Sequence, residues 1–155
     1  MMGALLTLFA CCTGQKNSDD VDDEHAEVHV PIPVSYHKVE YCFLKKGKEL
    51  PADSKIDTQE QFDDLFGVAA VMGHSKRFTP VDFDNYFVIA VALPPTSQDV
   101  EIEDQRLMDN GQTLTFEYSV DRDDEYRTYV TQPLLLIAVN RRHERENVVI
   151  CEVDD

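Results

Sequence analysis

Histidines, cysteines and clustered carboxylates are the side chains here that could carry chemistry, and their spacing decides whether they do. His143-Glu144-Arg145-Glu146 opens like the helix of a zinc protease, but Asn147 stands where the second metal-binding His is needed. His25 and His29 are four residues apart, the interval that puts two imidazoles on one helix face. Pro31 and the polar run around them oppose a helix there. His74 and Ser75 are neighbours in sequence, whereas a nucleophile and its base are brought together by folding, so adjacency carries no weight. From Asp20 the acidic spacing partly follows a calcium loop, yet the turn glycine is missing and the twelfth position is Pro31, not Glu. Other carboxylates are spread along the whole chain, and abundance alone does not define an acid–base pair. GxSxG, P-loop and GxGxxG patterns are all absent. The expectation is a non-enzyme with no catalytic residue, no metal and no cofactor.

Cysteine usage points to export instead. Met1–Ala10 is a short apolar run ending in small residues, followed by Cys11 and Cys12, as at the h-region and cleavage site of a signal peptide. Leu8-Phe9-Ala10-Cys11 resembles the bacterial lipobox, which makes Cys11 the expected lipidated N-terminus. The run is too short to span a bilayer. No Lys or Arg precedes it, so a charged n-region is expected upstream of Met1. Residues 11–27 carry almost no apolar side chain and read as a flexible acidic tether, since they cannot bury enough surface to order themselves. Residues 28–155 then form one domain. Acidic runs soon after a lipidated Cys resemble signals that send some lipoproteins to the outer face of the outer membrane. The expected location is therefore the bacterial cell envelope, as an outer-membrane lipoprotein facing the periplasm or the surface. Cys42 and Cys151 lie in strand-like segments near opposite ends of this domain. Either they close a disulfide in an oxidising compartment or they remain two buried thiols.

Charge narrows the partners. Lys and Arg number 14 against 30 Asp and Glu, a formal net charge of −16. Binding nucleic acid needs clustered cations, so it is excluded, as is lying flat on an anionic membrane. Contact with the membrane is through the lipid anchor only. Arg141, Arg142 and Arg145 make one small basic tip on this acidic chain.

The segments that must position any site are mostly strands. His29–Tyr36 holds Pro31 and Pro33 and reads as an edge or lead-in. Val39–Lys45 reads as a strand with Val39, Tyr41 and Phe43 on one face. One helix follows, capped by Asp57 or Thr58 with Glu60 or Gln61 three residues on. Its buried stripe is Phe62, Leu65, Phe66, Ala69 and Ala70, and Gly73 suits its end. Tyr86–Leu93 and Leu134–Val139 are apolar on both faces, as central strands are. Val100 and Ile102 differ in parity from Leu107, which requires a bulge or break between them. Asn110-Gly111 signals a type I′ hairpin. Leu114–Val120 alternates as a half-buried strand; a charged loop then leads to a strand at Tyr126–Thr131. Asn140–Asn147 reads as a polar turn, and Val148–Val153 closes the domain. The fold class is mainly β (α+β): an antiparallel sheet or sandwich with one packed helix.

From Ile56 to Val153 the chain resembles the PrcB-like domain, the protease complex subunit family. The likeness rests on Phe62-x-x-Leu65-Phe66 before Val81-Asp82-Phe83, then Phe87–Val91, then Pro95-Thr96. Leu114-x-Phe116 and Pro133 before Leu135-x-Ile137 complete it. Ser97-Gln98-Asp99 stand where that family carries Gly-Gly-Tyr. The resemblance implies a lipid-anchored accessory that binds or stabilises an envelope protein, with a protease as the partner in view. The alternatives are a protease inhibitor on an Ig-like sandwich and a glycan-surface binding protein. Partner contacts are expected from Pro95, Thr96 and Gln98 in the loop 94–99, and from Arg141 and Arg142 in the loop 140–147.

Overall fold

Two apolar segments build the middle of the molecule. Strands β6 (Tyr86–Ala92) and β9 (Leu134–Asn140) pair antiparallel, with Tyr86 opposite Asn140 and Ala92 opposite Leu134. Alternation along them sends Phe87, Ile89, Val91, Leu135, Ile137 and Val139 into one core. Val88, Ala90, Leu136 and Ala138 enter a second core on the other side. A strand covered on both faces has no position for a water-facing residue, which is why both segments are continuously apolar. The structure is a computed structural model that describes residues 29–69 and 78–154. The signal segment, Cys11, the tether, His25, Ala70, Gly73, His74 and Ser75 lie outside the described residues.

Strands β2 (Tyr36–Lys38) and β4 (Lys55–Ile56) flank the central pair, giving a sheet of order β2-β9-β6-β4. A second sheet packs over the first core. It holds β1 (Ile32–Pro33), β7 (Thr96–Asp109), β8 (Thr113–Thr131) and β10 (Asn147–Glu152), in the order β1-β7-β8-β10. β10 runs parallel to β8, while the other strand pairs among the described residues are antiparallel. Beneath the second core lie helix α1 (Gln59–Leu65) and a two-stranded ribbon of β3 (Cys42–Leu44) and β5 (Phe66–Val68). The molecule is mainly β with one α-helix among the described residues, in the architecture the sequence implies.

The helix starts as expected and stops early. Thr58 caps it, its hydroxyl accepting the Gln61 N–H at 3.2 Å, while the Gln61 side chain accepts the Asp57 N–H at 2.9 Å. Phe62 and Leu65 are buried, but Phe66 already belongs to β5. Gly67 and the β-branched Val68 are poor helix formers, and β3 offers their backbone a ladder: Leu44 faces Phe66 and Cys42 faces Val68. Phe43 faces Gly67 so closely that a Cβ on the glycine would come within 2.3 Å of the ring. The expected face of the Val39–Lys45 strand also changes. Tyr41 takes φ 63°, which interrupts the strand, so Cys42 and Leu44 turn inward and Phe43 outward.

The long β7–β8 hairpin carries the required bulge. Asp104 faces Tyr118 and Arg106 faces Glu117, leaving Gln105 as the extra residue. Its side chain turns aside to donate to the buried Ser119 hydroxyl at 2.7 Å. The turn differs from the expected I′ form. Asn110 and Thr113 close it through an N–H to carbonyl bond of 3.2 Å, and Gly111 alone has positive φ, at 88°. A I′ turn needs positive φ at both central residues; here the Asn110 side-chain oxygen instead accepts the Gln112 and Thr113 amides, at 3.0 and 2.7 Å.

Candidate protein-binding site

At one end of the sandwich the chain crosses between the two sheets twice, side by side. Leu93-Pro94-Pro95 joins β6 to β7 and Gln132-Pro133 joins β8 to β9, tied by the Leu93 N–H to the Pro133 carbonyl at 3.0 Å. Proline has no N–H to give a ladder, so both strands are released at the same level and turn the corner together. Thr96 then opens β7. Its hydroxyl accepts the Gln98 N–H at 3.0 Å, and the Gln98 side chain donates across the ribbon to the Asp123 carbonyl at 2.8 Å. An open hollow of about 220 Å³ lies at this corner, with Pro94, Pro95, Thr96, Gln98, Arg122 and Pro133 on its wall.

Pro95, Thr96 and Gln98 are thus brought together, but Thr96 and Gln98 belong to a strand and hold up the surface opposite them. Between the Thr96–Thr131 and Gln98–Tyr126 pairs, two steps on β7 face five on β8. Between Gln98–Tyr126 and Val100–Arg122, two face four. The surplus bulges outward, and every residue from Asp121 to Val130 is exposed. Sequence reasoning missed this surface, dividing it into a charged loop and a short strand, whereas β8 is one strand through Thr131. The available signal was length: arms bounded by Pro95, the Asn110-Gly111 turn and Pro133 are unequal, 14 residues against 19. A hairpin with unequal arms must bulge on the longer one.

Arg141 and Arg142 lie elsewhere. β9 runs from the corner to Asn140, so seven strand residues, roughly 20 Å, separate them from Pro95. Asn140 caps a 3-10 turn, Arg141–His143, in place of the plain polar turn expected. Arg141 is consumed in holding that turn down. Its guanidinium donates to the Phe83 and Asp57 carbonyls at 2.9 and 2.5 Å and to Glu144 at 2.9 Å. Lys55 adds a 2.6 Å contact to Glu144, and these cations, Lys55 first, hold the Glu144 carboxyl below its usual range. Arg142 is exposed, its Nε donating to the His143 ring at 2.9 Å. Arg141 is therefore largely spent on the fold, and Arg142 is the exposed arginine of the pair.

Arg145 is tied most tightly. It makes a two-pronged pair with Asp109, at 2.9 and 2.6 Å, and Asp109 is only 2% exposed. Burial pushes the Asp109 carboxyl up, but the Gly111 N–H, Arg145 and His143 together outweigh it, and its pKa falls below the ordinary value. This clasp joins the hairpin turn to the 140–147 segment. At the edge of the sandwich, Tyr36 donates to Asp104 at 2.7 Å and Lys38 pairs with the same carboxylate.

Cys42 and Cys151 are both free thiols. Cys42 lies in the β3–β5 layer and Cys151 on β10 of the outer sheet, with the β6–β9 sheet between them, so the disulfide alternative is withdrawn. Burial raises the Cys42 thiol to about 11. Among the described residues there is no group of three or more His, Cys, Asp and Glu placed to hold a metal ion. Nor is any helix there long and apolar enough to cross a membrane. No protein-family model, curated protein or solved structure matches the chain.

Proposed function

We propose that this chain is a non-enzymatic binding module of the bacterial envelope, anchored through Cys11 and capturing an envelope protein at the Pro94–Gln98 corner. The observation that carries this reading is the corner itself. A hollow walled by prolines lies beside ten consecutive exposed residues held out by the Thr96–Gln98–Asp123 bonds. Tyrosine is enriched at protein interfaces, and Tyr126 and Tyr129 stand 73% and 57% exposed in this stretch. The resemblance to PrcB-like domains supports the same reading, since Pro95-Thr96 are its counterpart of that family's loop, and it puts a protease forward as the partner.

Chain direction supports it further. Ile32 pairs with Asp109 and Pro33 with Met108, so the chain joins the outer sheet at its hairpin end. The corner is at the other end of β7, roughly 40 Å away for a strand of that length. An anchor preceding residue 29 would attach at that hairpin end and leave the corner free at the other. Changing Pro95, Thr96 and Gln98 together to Ala, in the full chain expressed in its native host, should cut crosslinked partner recovery about tenfold. Denaturant midpoints of the purified proteins check that the variant is folded. A folded variant that recovers its partner undiminished contradicts the assignment.

A further inference from the structure

Among the described residues, the outer edge of β8 has no neighbouring strand beyond Tyr118. β10 pairs with Thr113–Tyr118, and the last bond on that side runs from the Val153 N–H to the Tyr118 carbonyl at 2.8 Å. Among the described residues no strand continues beside Ser119–Thr131 on that side. An open edge presents N–H and C=O groups to which an extended chain can add as a further strand.

Charge decides what kind of chain can add. Among the described residues, Asp121, Asp123, Asp124 and Glu125 have no cation against them. The two cations of the stretch are committed, Arg122 to Glu152 at 3.6 Å and Arg127 to Asp99. A second copy of this chain would bring the same four carboxylates and its own net charge of −16. Repulsion therefore disfavours self-pairing, and opposite charge favours a basic partner. Tyr126, Tyr129 and Val130, the last 67% exposed, supply apolar area beside the acidic run.

We infer that the β8 edge from Asp121 to Val130 takes an extended cationic segment of a partner protein, added as a strand. Backbone bonds give the addition its direction, the carboxylates select lysine or arginine, and the tyrosines pack on the segment's apolar side chains. This deepens the binding-module reading and rests on it.

The test uses the purified full chain and three synthetic peptides, alternating Lys with Val, Glu with Val, and Lys with Pro. The Lys–Val peptide should bind, the Glu–Val peptide should not, and the Lys–Pro peptide, equal in charge but lacking alternate N–H donors, should bind far more weakly. Replacing Asp121, Asp123, Asp124 and Glu125 by their amides should weaken Lys–Val binding about tenfold. The same charge change at Glu49, Asp84, Glu103 and Glu146, which are exposed and unpaired, should weaken it less than about twofold. Equal weakening by the two variants, or equal binding of the Lys–Val and Lys–Pro peptides, overturns the inference in favour of diffuse charge. Failure of the peptides alongside corner-dependent capture in the envelope removes the cationic strand alone. Loss of corner-dependent capture removes the binding-module reading itself.

Discussion

Arg145→Ala is expected to lower the unfolding free energy of this domain by about 3 kcal/mol, read from urea denaturation near neutral pH. The side chain removed is partly exposed, but the carboxylate left behind is not: among the described residues Asp109 keeps the Gly111 N–H and His143. Uncompensated burial of a charge drives this loss, and it is large against a total stability of roughly 5–15 kcal/mol. Its pH dependence has a definite sign. The folded pKa of Asp109 lies below the reference 3.8, so its stabilising contribution is fully present above that value. It fades as pH falls through the folded pKa. The gap between wild type and Arg145→Ala is therefore widest near neutral pH and narrows as pH falls from 3.8 through the folded pKa. A gap that stays constant down to pH 3 would mean that the pair does not act through the Asp109 charge.

Phe116→Ala has a comparable or larger effect, about 4 kcal/mol on the same measurement. Phe116 is fully buried between the two sheets and meets Tyr36 edge-on, with ring centres 5.9 Å apart. Truncation leaves a cavity that two hydrogen-bonded sheets cannot collapse to fill, and it loosens Tyr36, which reaches Asp104. Phe43→Ala is the contrasting case. That ring is 49% exposed over Gly67, and its loss should cost about 1 kcal/mol or less. Similar losses from the two variants would contradict the placement of the core between the sheets.

Where the sequence was informative, one local signal had one physical cause. Phe87–Val91 and Leu135–Val139 are apolar at every position because both faces of the central sheet are covered, and period two divides them between the cores. The parity change between Ile102 and Leu107 revealed the Gln105 bulge for the same reason. Failures came where a distant partner decided the local structure. The helical stripe through Phe66 was real in spacing, but β3 captured Phe66–Val68 as a strand. Arg141 and Arg145 looked like a free basic tip because Asp57 and Asp109 are far from them in sequence. The 121–130 surface was hidden because charged residues in a row read as loop, and only the unequal hairpin arms betray a bulged strand.

Site-specific photocrosslinking in the native host decides whether the corner is the binding surface, with the probe placed at residue 129 or at residue 43 of the full chain. Both positions are exposed, but Tyr129 belongs to the stretch beside the corner and Phe43 to the layer that holds the helix. One discrete crosslinked protein is expected from position 129 and should be absent from position 43. Its yield should fall when Pro95, Thr96 and Gln98 are replaced. The same products from both positions, or a discrete product from position 43 alone, would contradict the corner as the binding surface.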